Sequence, residues 1–109
     1  MFREKKPNRQ AVADKLAAVE AEMKRIGFWQ TEPLPPEKYD FQRGFALDTM
    51  AFTQWLQFIF IPRVKEIIAS EGEFPEKSHV SAQALRELDG EVDAGRLLEL
   101  LGEFDAMFG

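Results

Sequence analysis

Apolar positions recur at helical spacing along most of the chain. Val12, Leu16, Val19, Met23 and Ile26 step by four, three, four and three, which lines one face of a helix. Asn8, just after Pro7, can accept bonds from the first free amides, and Gly27 offers the left-handed residue that stops a helix. A first helix is therefore predicted over about 9–26, with residues 1–8 frayed ahead of it. Glu20 and Lys24 add an exposed pair one turn apart in the favourable order.

The pattern then lapses. "FWQTEPLPPEKYDFQRGF" holds three prolines and a glycine, so it predicts a long connection with one turn of helix near Pro36 to Asp40. Its anchors are expected to be Phe28, Trp29, Leu34, Tyr39, Phe41 and Phe45.

The run "FALDTMAFTQWLQFIFIPRV" predicts a second helix over about 48–70, with Asp48 or Thr49 as its cap. At about 100° per residue, Phe52, Trp55, Leu56, Ile59 and Phe60 share one arc, while Thr53, Gln54 and Gln57 lie opposite. Beyond Pro62 the stripe passes to Ile61, Val64 and Ile68, on the side the glutamines held. A straight helix would set Arg63 amid the first apolar arc. A bend at Pro62 explains the switch, because proline lacks the amide for the Phe58 carbonyl and its ring displaces that carbonyl. The helix is then the centre of a bundle, its two halves facing different neighbours.

Gly72 is expected to close the second helix, and Pro75 bars its continuation. A short third helix is predicted over about 80–89, capped by Ser78 or Ser81, with Val80, Ala84, Leu85 and Leu88 inward. A fourth, over about 93–108, has Asp93 as cap and Leu97, Leu98, Leu101, Phe104, Met107 and Phe108 as its apolar face. Gly102 within it suggests close contact with a neighbouring helix. The fold class is all-α: one domain over residues 1–109, a bundle of four main helices.

Composition narrows the function classes. A chain of 109 residues has room for one domain, and the absence of cysteine excludes disulfides. Charged residues interrupt every stretch that could be a signal peptide or a membrane span. A net charge of −5 opposes tight nonspecific binding to nucleic acid or an anionic membrane, apart from a basic head of Arg3, Lys5, Lys6 and Arg9. No membrane partner is expected, and the setting is cytoplasmic.

Catalytic chemistry finds little support, and a noncatalytic protein is expected. Glu76 and His79 have an E-x-x-H spacing, but the second such pair of a di-metal bundle is missing and His79 falls in loop, so no metal and no cofactor is implied. Pro33 and Pro36 form a P-x-x-P stretch without a basic flank, which favours a rigid connection over a recognition motif. Candidate interaction or pocket residues are Trp29, Phe45, Gln54, Trp55, Gln57 and Arg63, with Asp48, Thr49 and Pro62 structural. If Arg63 were buried beside the aromatics it would need a carboxylate partner. Otherwise its stem snorkels and its head stays in water.

"LDTMAFTQWLQFIFIPRV", preceded by "GFW" and followed by "LLELLGEFDAMF", resembles the YqcC-like family, most specifically at Asp48, Thr49, Trp55, Leu56, Gln57, Pro62 and Arg63. Where relatives often read Gln-Pro-Phe ahead of the Asp-Thr pair, this chain has Arg43, Gly44 and Phe45. The resemblance implies a small bacterial helical protein of uncharacterised function, linked by name and gene neighbourhood to tRNA pseudouridine synthase C. It does not imply that the chain is the synthase. Three functions are thus in view: a protein-interaction or accessory module, an RNA-binding accessory to tRNA pseudouridylation, and a small-ligand bundle with a pocket near Trp55 and Arg63.

Overall fold

Four helices and a folded connection make up the computed structural model, which describes residues 8–108; the expected frayed head falls almost entirely outside them. Helix α1 is Arg9–Arg25, and the Asn8 side chain accepts from the Ala11 amide at 3.1 Å. Val12, Leu16, Val19 and Met23 are fully buried along it, as the stripe predicts. Gly27 follows with φ +79°, a conformation that glycine adopts without a Cβ clash.

The second helix, α2, has three contiguous parts: an α turn at Phe52–Trp55, a π-helical turn at Leu56–Phe60, and an α segment at Ile61–Ser70. It starts later than predicted because Asp48 and Thr49 are engaged elsewhere. Asp48 accepts from the Gln42 and Arg43 amides, and the Thr49 hydroxyl donates to the Lys38 carbonyl. The start is held instead by Gln54, whose Oε1 accepts from the Ala51 amide at 2.9 Å.

The irregularity expected at Pro62 lies one turn earlier. In the π turn the Ile61 amide bonds the Leu56 carbonyl, five residues back. Pro62 therefore falls in the first turn of a fresh α segment, where a missing amide costs little. The insertion rotates everything after it by about 100° relative to a continuous α-helix. Ile59, Phe60 and Ile61 are all buried across the insertion, and Val64 follows on the far side of Pro62. The same rotation carries Arg63 into water.

Glu71, not Gly72, is the left-handed residue ending α2, with φ +57°, while the Gly72 amide bonds the Ile67 carbonyl at 3.0 Å. Arg9 covers this end from α1, donating to the Ile67 carbonyl at 3.0 Å and to the Gly72 carbonyl, with its guanidinium over the Phe74 ring. Helix α3 is Val80–Glu87, and α4 is Gly95–Asp105, entered through a 3-10 turn at Val92–Ala94.

Neither expected serine caps α3 on its own. Asp105 of α4 does so across the interface: its carboxylate accepts from the Ser78 and Ser81 hydroxyls, each at 2.6 Å, and from the Val80 and Ser81 amides. A carboxylate fits there because the first amides of a helix are unsatisfied and carry partial positive charge. Asp93 makes no cap. Leu85 is turned outward, 60% exposed, and Leu100, absent from the predicted face, is buried. A Cβ on Gly102 would meet nothing within 4 Å, so close helix contact does not explain that glycine.

Helix α1 packs along α4 and along the last segment of α2, and α3 packs on α4. Ion pairs lie across two of these seams: Lys15 to Glu103 at 2.6 Å and Lys65 to Glu20 at 3.2 Å.

Candidate interaction surface

Of the residues singled out in the sequence, Phe45, Gln54, Trp55 and Gln57 meet where the connection of residues 28–51 crosses the first half of α2, Trp29 lies against Lys24 of α1, and Arg63 stands apart. Gln57, in the π turn, is buried, and its side chain forms both halves of an amide clamp. Its Oε1 accepts from the Gln30 amide at 3.0 Å, and its Nε2 donates to the Gln30 carbonyl at 2.7 Å. Gln54 Nε2 donates to the Gln30 side-chain oxygen at 3.1 Å, and Gln30 Nε2 reaches the Glu32 carbonyl. The two glutamines placed opposite the apolar arc thus hold the connection down, since an extended segment with no ladder partner must satisfy its backbone groups with side chains.

Aromatic packing does the rest. The connection carries a 3-10 turn at Pro36–Tyr39 and another at Gly44–Ala46, where Phe45 and Ala46 take left-handed backbone, φ +57° and +54°. That conformation costs each residue roughly 1–2 kcal/mol. It is offset by the Phe45 ring, 4.8 Å edge-on from Trp55 and 6.0 Å from Phe52, and by Asp48 binding the Gln42 and Arg43 amides. From Trp55 the rings continue through Phe60, Phe104 and Phe108 to Phe74, with neighbouring centroids 5.0–5.7 Å apart. Leu34 is buried, and Phe28, Trp29, Phe41 and Phe45 are half-buried against the core; Tyr39, at 46% exposure, is no anchor. Trp29 lies 5.1 Å beneath the Lys24 ammonium.

This joint is closed. Trp55 is 9% exposed, while Arg63 stands in water and makes no hydrogen bond or ion pair among the described residues. A pocket converging on Arg63 has lost its polar anchor. Glu76 and His79 are exposed ahead of α3, and no cluster of three metal-ligating side chains occurs among the described residues.

An open concave surface lies elsewhere. A groove of about 440 Å³ runs between α1 and the last segment of α2, lined by Ala13, Leu16, Ala17, Ala21, Ile68 and Ala69, with Glu20, Lys24 and Lys65 at its rim. The sequence carried a signal for it, a row of alanines one turn apart beside the buried stripe. Glu20 bonds Lys24 at 2.9 Å and Lys65 at 3.2 Å, and the Lys24 hydrogen bond, aided by Lys65, holds its carboxyl below the usual range. Arg25 does the same for Glu22, and Lys15 for Glu103.

Cations elsewhere are largely committed. Arg9 binds carbonyls, Lys15 and Arg96 reach Glu103, and Arg25 pairs with Glu22 at 2.5 Å. No helix among the described residues is long and apolar enough to cross a membrane.

Comparison with known proteins places the fold. Residues 11–107 match the model of a family described as tRNA pseudouridine synthase C. The chain belongs to the YqcC-like family. Its fold matches the solution NMR structure of YqcC from Escherichia coli, with a TM-score of 0.82 and 25% identity over 92% of this chain and 86% of that one. An uncharacterized protein of Haemophilus influenzae is 33% identical over 61% of this chain, and the uncharacterized protein YqcC of E. coli K12 is 28% identical over 55%. A Pectobacterium carotovorum protein named tRNA pseudouridine synthase C is 34% identical over 59% of this chain. The matches span 62%, 55% and 17% of those three proteins, less than two thirds of each. A name matched over 17% of its bearer does not carry an enzyme activity to this chain.

Proposed function

We propose that this chain is a noncatalytic helical accessory module that docks onto another protein in the bacterial cytoplasm, the partner being a tRNA pseudouridine synthase. One observation carries the reading. In the Pectobacterium relative, the segment similar to this chain is a 17% share of a much longer polypeptide named tRNA pseudouridine synthase C. A segment joined to such a chain in one bacterium is a natural candidate to associate with one in another. The open groove supplies a surface for docking, whereas the conspicuous aromatics are spent on closing the connection against α2.

Electrostatics favour protein over RNA as what this chain touches. Phosphate binding draws on free lysines and arginines, and most basic side chains of the four helices are already paired. The net charge of −5 works in the same direction. The test is calorimetric titration of the chain into the purified tRNA pseudouridine synthase of its own host, with and without tRNA. Saturable binding at micromolar concentrations is expected. No heat and no co-elution under either condition would overturn the reading, and salt-sensitive binding to tRNA alone would put RNA in place of protein.

A further inference from the structure

We propose that the groove between α1 and the last segment of α2 seats an amphipathic helix of the partner protein, one with large apolar side chains along one face and carboxylates beside them. The inference rests on the protein-docking reading above and adds the shape and charge of what docks.

Shape comes first. From Ala13 to Lys24 the groove follows α1 for about 16 Å, given 1.5 Å of rise per residue. That is about three turns, the length over which anchors at i, i+3 or i+4, and i+7 recur on a bound helix. The alanines at 13, 17, 21 and 69 leave room that larger side chains would fill, and the half-buried Ile68 adds apolar contact surface above a floor closed by the buried Leu16. Ala17, Ala21 and Ala69 are exposed, so the groove is open on its outer side, as a helix requires. A second copy fits poorly, because two concave faces related by a twofold axis enclose a void between them.

Charge chooses the sequence of that helix. Lys24 and Lys65 stand on opposite walls and share the single carboxylate of Glu20, which leaves one positive charge uncompensated at the rim of a chain that is otherwise acidic. Both side chains remain more than half exposed, at 53% and 61%; Lys24 also lies over the Trp29 ring, so Lys65 is the freer of the two to take a second carboxylate. A glutamate or aspartate of the docked helix completes the cluster. A lysine there is repelled.

Two stapled helical peptides test this on the whole chain: one with leucines at i, i+4 and i+7 flanked by glutamates, and the same peptide with lysines for the glutamates. In a 15N-resolved NMR titration the acidic peptide should shift signals of α1 and the last segment of α2 and bind at least tenfold tighter than the basic one. Ala17→Trp, which fills the groove from an exposed position, should abolish binding. The pair Lys24→Glu and Lys65→Glu should reverse the preference without filling anything, so it decides the matter should Ala17→Trp fail to fold. Equal affinity for both peptides, shifts elsewhere, or no shifts at millimolar peptide would overturn the inference. So would a dimer in sedimentation that Ala17→Trp dissociates, which would make a second copy the occupant. The same variants against the host synthase separate the two claims. If the synthase binds wild type and groove variants alike, docking stands and the groove falls; if it binds neither while the acidic peptide still selects the groove, the synthase falls and the groove stands.

Discussion

The joint between the connection and α2 and the groove between α1 and α2 lie on the same helix, yet they are built from opposite materials. The joint uses the rings of Phe45, Phe52 and Trp55, a two-way amide clamp from Gln57, and two residues in left-handed backbone. The groove uses alanines, and its only conspicuous members are three charged residues already in contact with one another. Large aromatics bury the most area and find partners within the chain, so they mark where the chain closes on itself. Small side chains leave space, and the space is what a partner can occupy.

The largest expected effect that sharpens this comparison is at Gln57. Gln57→Ala leaves the Gln30 amide and carbonyl without their partner, which should destabilise the fold by about 2–4 kcal/mol in chemical denaturation, given roughly 1–3 kcal/mol per stranded buried group. Peptide affinity at the groove should be unchanged under native conditions. A loss below 0.5 kcal/mol would mean that the connection is held by its rings alone. Asp105→Ala, which removes the shared acceptor of four donors at the start of α3, should cost roughly 2–3 kcal/mol by the same measurement.

Acid probes both regions together. Glu20, Glu22, Glu103 and Asp48 all have carboxyls held below their ordinary range, the first three mainly by hydrogen bonds from Lys24, Arg25 and Lys15, and Asp48 mainly by the Gln42 amide. Their folded values lie below the unfolded ones, so the unfolded chain takes up more protons as pH falls. The stability they supply is therefore present above the usual carboxylate range and is lost as pH drops through the folded values. Denaturation midpoints should fall steadily below about pH 4.5. Asp48→Asn should flatten part of that slope and loosen the connection while leaving the groove intact.

The smallest effects concern backbone alone. Glu71→Gly relieves a left-handed residue, and Gly102→Ala fills open space within a helix, so each should stabilise by up to about 1 kcal/mol. Destabilisation by either would show a packing role that the geometry does not contain.

What the sequence made legible follows from the same contrast. The four helices were readable because burial along them repeats every turn, and Val12, Leu16, Val19 and Met23 could be named in advance. Asp105 was not, because its four donors come from residues 24–27 positions away in the chain. The π turn escaped because periodicity is counted on an α-helix, and Pro62 offered a competing cause for the same shift in stripe. Arg63 stands in water, as the snorkelling alternative expected, while Gln57, placed opposite the apolar arc, is buried because the Gln30 backbone of the connection lies over it. The groove was faint because alanines at helical spacing suit a helix whether or not anything binds them.

Solvent paramagnetic relaxation of side-chain signals compares the two regions in one sample, without a partner. A soluble gadolinium chelate should broaden the methyls of Ala17, Ala21 and Ala69 and leave the Gln57 amide protons and the Trp55 ring sharp. Broadening at Gln57 and Trp55 with protection of the alanines would reverse the assignment of closed joint and open groove.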